Sequence, residues 1–250
     1  MNRRLTAVLF GAAILVSASA AAAQDLAATQ PLGGAIAGLA PDSLTGRSLL
    51  LFAAITVLSL APGLAVMVTC FPFIVTVLSI LRQAIGLQQA PPNMLIVSLA
   101  LFLTWFVMDP VLTEAWRVAA DPLLQGTISP TEAFAKGIVP FRGFMQGRVD
   151  PDTLAHIASL RVGAPIDPPP LQVLIPSFIL SEISRAFQIG FMVYLPFLII
   201  DLVVSAVLMA MGMMMVPPAV VALPFKLAFF VVADGWTLVS TALVRSYTGG

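Results

Sequence analysis

The fold class this sequence predicts is all-α and integral to a membrane, and three observations carry that expectation. Hydrophobic residues make up 59% of the 250-residue chain, charged residues only 10%, and the mean hydropathy is +1.01. That leaves too little polar surface to cover a soluble globule of this size. Long stretches lack any charge, and prolines punctuate them instead of the alternating pattern of strands. Twelve basic residues balance twelve acidic ones, so no basic field argues for nucleic acid. A single cysteine, Cys70, lies in the apolar run VMVTCFPFIV, and a single histidine, His156, lies in a polar segment. Neither a disulfide framework nor a Cys/His metal site can be built from one of each, and no metal or cofactor is expected. Cys70 reads as a small apolar packing residue.

The N-terminus reads as a secretory signal peptide over residues 1–23. Arg3 and Arg4 form a positive region, Leu5 to Val16 an apolar one, and SASAAAAQ supplies small residues for cleavage between Ala23 and Gln24. The apolar part is shorter than the ~20 residues a spanning helix needs. Residues 24–47, rich in Ala, Gly and Pro, read as a flexible lead-in. This places the mature N-terminus outside the cytoplasm.

Residues 48–108 form the first hydrophobic block. No charge occurs from Ser48 to Leu81, and one straight helix of that length would be roughly 50 Å long against a hydrocarbon core of about 30 Å. Pro62-Gly63 and Pro72 divide it into either a steep kinked helix or a hairpin of two short pieces. After the polar turn RQAIGLQQAPPN, the run Met94 to Met108 is short for an independent span. Residues 109–170 then read as a polar extramembrane insert, with five basic and seven acidic residues. Within it TEAWRVAADPLL and SPTEAFAKGIVPF have the character of brief helices, the second with Ser129 as N-cap and Glu132 at capping-box spacing.

Residues 171–250 return to an apolar composition and read as a helical hairpin, but with charges at awkward depths: Glu182, Arg185, Asp201, Lys226 and Asp234. Charges in a membrane face protein, water or each other, and mark functional sites by default. Glu182 and Arg185 stand three apart and share a helix face. Asp201 and Lys226 stand 25 apart across Pro217 and Pro218, which a helical hairpin would bring together. Buried structural ion pairs are the favoured reading over a proton relay, which needs clustered carboxylates or histidines. Between these charges, MAMGMMMVPP packs Met209, Met211, Met213, Met214 and Met215 into seven residues. Methionine is unbranched and adaptable, so the cluster is either apolar filler at a helix end or a deformable surface.

The stretch FILSEISRAFQIGFMVYLPFLIIDLVVSAVLMAMGMMMVPPAVVALPFKLAFFVVADGW, Phe178 to Trp236, together with LRQAIGLQQAPPNMLIVSLALFLTWFVMDPV, Leu81 to Val111, resembles the FliP/SctR family of type III secretion export gate proteins. The resemblance covers most of the mature chain, and the signal peptide points to its flagellar branch. It implies tilted helical hairpins that assemble several copies of the chain, a homopentamer, with FliR and FliQ subunits and other export apparatus components. The assembly it implies is a conical, pore-forming complex in the inner membrane and flagellar basal body, its core on the periplasmic side. There the methionine-rich loop would line the channel as a soft gasket around unfolded exported polypeptides, Gly212 would allow a tight bend, and Pro217 and Pro218 would end the first helix. Two other classes fit less well. An ion or small-solute transporter predicts inverted repeats, yet the signal peptide, polar insert and methionine cluster each occur once. An intramembrane enzyme needs a nucleophile with its base, paired aspartates in suitable surroundings, or a metal motif, and the sequence has none.

Overall fold

The computed structural model describes residues 66–86, 91–161, 168–213 and 215–248, with residues 52, 55, 56, 59 and 63 before them. The expected signal peptide with its Ala23–Gln24 junction, the lead-in over 24–47 and Met214 lie outside the described residues. Among the described residues the regular structure is helical throughout, with no strand. The described residues form two compact units: those up to Thr69 with those of 109–147, and those of 70–108 with those from Arg148 onward.

The second unit holds most of the core. Helix α1, Phe71–Ile85, starts where Pro72 occupies its first turn and stops at Gly86, whose left-handed φ of 87° suits a residue without a side chain. Its buried face, Phe73, Ile74, Val77, Leu78, Leu81, Ala84 and Ile85, repeats at the helical period. Pro72 therefore acts as a helix start, while Pro62 lies outside the described residues. Helix α2 runs Asn93–Ala115, passing through Asp109 and Pro110, where the first hydrophobic block was expected to end.

In the first unit α2 gives way to a π-helical turn, Trp116–Ala120, and a short helix α3, Asp121–Leu124. The whole stretch from Asn93 to Leu124 is one apolar segment of 32 residues, long enough to cross a membrane. The expected separate helix in TEAWRVAADPLL is thus the continuation of its predecessor. The second expected helix is longer than brief: α4 extends over Pro130–Arg148, and its entry is capped as expected, the Glu132 N–H donating to Ser129 Oγ at 3.3 Å. A Cβ on Gly137 would lie 3.1 Å from that of Ala119, so the glycine permits a close approach of α4 to the π-helical turn.

Helix α5, Pro151–Ser159, follows in the second unit, capped by Asp150, which accepts from the Thr153 N–H. The longest element is α6, Leu171–Ala210, 40 residues and roughly 60 Å long, continuous through Pro176 and Pro196. Helix α1 packs along its N-terminal half, and α5 packs on it as well. The buried positions of α6, Val173, Leu174, Ser177, Phe178, Ser181, Glu182, Ala186 and Gly190, form one stripe at three- and four-residue spacing. At Gly190 a side chain would collide with Ile80, so α1 and α6 approach each other through this gap. Beyond Gly190 burial thins to Phe197 and Leu208.

The expected C-terminal hairpin consists of three helices. Helix α7, Pro218–Val232, returns along α6, with Phe197 edge-on to Phe229 at 5.8 Å. Helix α8, Gly235–Thr248, leaves it at an angle of 60°. The corner is Asp234, with a φ of 48°, and Gly235, where a Cβ would run into the Phe230 ring. By length and composition α6 can cross a membrane, and α7 with α8 can form a broken span.

Candidate functional site

Two buried charge clusters and one exposed loop are built on the α6 scaffold. Glu182 is fully buried. Its Oε1 accepts from Arg185 Nη1 at 3.1 Å and from Arg148 Nε at 3.2 Å, and its Oε2 accepts from the Tyr247 hydroxyl. The Arg148 guanidinium also stacks over the Tyr247 ring, 4.1 Å from its centre, and donates to the Ser246 carbonyl at 2.8 Å. One carboxylate therefore ties Arg148 at the end of α4 and the last turn of α8 to the first third of α6. A buried carboxylate needs this many donors, because its desolvation is otherwise uncompensated.

The second cluster lies further along α6. Lys226 on α7 is buried, and its Nζ donates to Asp201 Oδ2 at 2.6 Å and to the Ala84 carbonyl at 3.0 Å. Ala84 sits in the last turn of α1, where carbonyls have no partner within the helix. The ammonium thus neutralises a charge on α6 and caps the C-terminus of α1 in one contact set. Next to it, the Gly86 turn is close enough that a Cβ would stand 3.9 Å from Nζ.

Outside the apolar segments, Asp150 shows a resolved electrostatic shift. The Thr153 backbone N–H and hydroxyl both donate to its carboxylate and hold it below its ordinary range. Asp150 also fixes the loop between α4 and α5, its own N–H donating to Ser181 Oγ at 3.0 Å.

The methionine loop has the opposite character. Helix α6 ends at Ala210 in a Schellman arrangement: the Met213 N–H reaches the Leu208 carbonyl and the Gly212 N–H reaches the Met209 carbonyl, both at 3.0 Å. Gly212 takes the left-handed conformation with φ of 74°, and no atom stands within 4 Å of where its Cβ would be, so torsion and not space requires glycine there. Pro217 is the N-cap of α7 and Pro218 its first residue. The expectation that these prolines end the first helix is corrected: they open the second, where a missing N–H costs nothing. Met215 is 97% exposed, Met211 65% and Met209 62%, so in the chain by itself these side chains are not core filler.

The structure thus brings together Glu182 with Arg185 and Asp201 with Lys226. It leaves Asp234 apart, exposed at the corner between α7 and α8. Arg148, Tyr247 and the Ala84 carbonyl have no counterpart in the sequence reading. Arg148 and Tyr247 lie 34 and 65 positions from Glu182, and no local spacing marks them. Among the described residues no group of His, Cys, Asp or Glu is arranged to hold a metal.

Helices of spanning length, charges neutralised inside the chain, and apolar and methionine-rich surfaces left open define an all-α membrane protein. The chain belongs to the FliP family, whose model matches residues 54–243. It is 46% identical over 251 residues to the flagellar biosynthetic protein FliP of Caulobacter vibrioides, covering 99% of this chain and 92% of that one. The flagellar biosynthetic protein FliP of Rhizobium meliloti is 48% identical over 204 residues, 78% of this chain and 82% of that one. That of Bacillus subtilis is 44% identical over 199 residues, 77% of this chain and 89% of that one.

Proposed function

We propose that the chain serves flagellar protein export as a core pore-forming subunit of the type III export gate, passing unfolded flagellar subunits across the inner membrane. It does so as a conduit and not as an enzyme, in a complex of several copies with FliR and FliQ subunits. Membership of the FliP family supports the flagellar role. The observation that carries the channel role is the exposure of Met209, Met211, Met213 and Met215, adaptable apolar side chains around the Schellman glycine Gly212 and ahead of a proline-started helix. Copies brought together around an axis would pool these side chains into a wall that excludes water and ions yet re-packs around a chain in transit. On this reading residues 109–170 stand on the periplasmic side.

The test trims Met211, Met213, Met214 and Met215 to alanine and measures two quantities: yield of the detergent-extracted complex, and ion or small-solute leakage in cells that assemble it without substrate. Normal yield with raised leakage is expected. Truncating core methionines would instead cost about 2 to 5 kcal/mol each and abolish the complex. Lost yield, or intact yield with unchanged leakage, rejects the gasket.

A further inference from the structure

From Leu202 to Phe225 the chain contains no Asp, Glu, His, Cys, Lys or Arg, yet it holds five thioethers in the seven residues from Met209 to Met215. Four of them, Met209, Met211, Met213 and Met215, alternate along the chain and are exposed. In a continuing α-helix, residues two apart would not face each other. The backbone does not continue. The Gly212 N–H donates to the Met209 carbonyl at 3.0 Å and the Val216 N–H to the Met213 carbonyl at 3.4 Å, so two turns follow each other directly. The ends of such a four-residue turn stand within about 7 Å of each other. The four side chains therefore spring from one short patch of backbone, and each has the rotatable bonds to bring its sulfur toward the others.

Thioether sulfur is a neutral, soft donor. It selects soft ions such as copper(I), whereas magnesium and calcium take carboxylate, carbonyl and water oxygens, and zinc takes thiolate, imidazole or carboxylate. No thiolate, imidazole or carboxylate side chain occurs in this stretch. A monovalent ion also suits a stretch without a carboxylate, since a divalent one would carry twice the uncompensated charge. Apolar filling alone has no need of sulfur, because leucine occupies a similar volume with better-defined rotamers. The expectation of no metal concerns Cys, His and carboxylate ligands, a class to which thioethers do not belong.

We propose that Met209, Met211, Met213 and Met215 form a metal site of thioether ligands that takes a soft monovalent cation, copper(I). The left-handed turn at Gly212 keeps the chain from continuing as a helix that would spread these ligands around its axis. The site lies within one chain, goes beyond the channel reading and stands if the loop seals nothing.

The experiment uses the full chain in detergent micelles under anaerobic conditions, with its methionine methyl groups isotope-labelled for NMR. Silver(I) is the first probe, since it matches copper(I) in charge and softness; copper(I) is then delivered from its bicinchoninate complex, whose absorbance reports the transfer. Saturation at about one ion per chain is expected, with shifts confined to the methyl signals of the loop, and neither zinc nor magnesium should move them. Replacing Met209, Met211, Met213, Met214 and Met215 together with leucine keeps the apolar volume and should abolish binding of both ions. Cys70→Ala and His156→Gln should bind as the unaltered chain does. Because leucine preserves an apolar wall, the outcome is independent of the leakage measured for the channel reading. Where the leucine variant cannot be extracted, Met211→Leu and Met213→Leu decide, each weakening copper(I) binding about tenfold. Absence of binding, silver binding without copper(I) transfer, binding that survives the deciding leucine variants, or binding lost with Cys70 or His156 overturns the proposal.

Discussion

Lys226 and Asp201 meet at 2.6 Å across two helices, and the same ammonium reaches the Ala84 carbonyl of a third at 3.0 Å. Charge pairing and helix capping are joined in one side chain, so loss of Lys226 strands the Asp201 carboxylate and uncaps α1 together. Lys226→Ala should lower the stability of the detergent-solubilised chain by about 3 to 5 kcal/mol, as expected when one partner of a buried pair is removed. Replacing both partners with apolar residues, Lys226→Met with Asp201→Leu, should recover most of the loss. Thermal unfolding of the two variants checks this; equal losses would mean the pair is not the source.

Around Glu182 the order of importance follows the contacts. Arg148 gives the carboxylate one bond, holds the Ser246 carbonyl and stacks on Tyr247, whereas Arg185 is a partly exposed neighbour on the same helix. Arg148→Ala should therefore reduce stability more than Arg185→Ala, and both more than Arg82→Ala, whose side chain bonds Asn93 at the surface. Tyr247→Phe keeps the ring contact with Phe73 but removes a hydrogen bond to a charge, a loss of about 1.5 to 3 kcal/mol. Denaturation midpoints in one detergent give the ranking.

Gly190 lets Ile80 of α1 pack directly against α6, filling the space a side chain would need. Gly190→Ala should cost about 1 to 3 kcal/mol through overpacking. Ile80→Val removes the Cδ1 that a new methyl would strike first, so the double variant should regain part of the loss. Stability curves for the two single variants and the double variant measure the coupling.

The cap at Asp150 has a pH signature. Its carboxyl lies below its ordinary range because the Thr153 N–H and hydroxyl favour the ionised form. A depressed folded-state pKa means that the contribution is complete above the unfolded value and is lost as pH falls through the folded one. Acidification below the usual carboxylate range should loosen α5, with faster amide exchange at Thr153 and Leu154. Asp150→Asn can cap without a charge, so its exchange at those amides should change less over the same interval.

Processing after Ala23 would make Gln24 the first residue of the mature chain. Intact-mass measurement of the membrane-extracted protein should then show the loss of residues 1–23, and a mass that includes them would refute cleavage.

The sequence by itself determined the class of the protein, most helix locations and the local charge pair. These are short-range properties: composition sets the solvent a chain can occupy, and residues three apart on a helix are neighbours wherever that helix lies, as Glu182 and Arg185 are. Asp201 and Lys226 were legible only as far as a hairpin could be assumed. The roles of the prolines were not legible, because proline suits a helix start as well as a helix stop. Pro110, Pro176 and Pro196 lie inside helices, Pro72 and Pro218 begin them, and the stop within the methionine run belongs to Gly212. Only tertiary structure decided that Arg148 and Tyr247 complete the shell of Glu182, that Lys226 caps α1, and that Asp234 turns outward. Partners 34, 65 and 142 positions away leave no periodic trace in a sequence, since their meeting depends on how α1, α7 and α8 pack along α6.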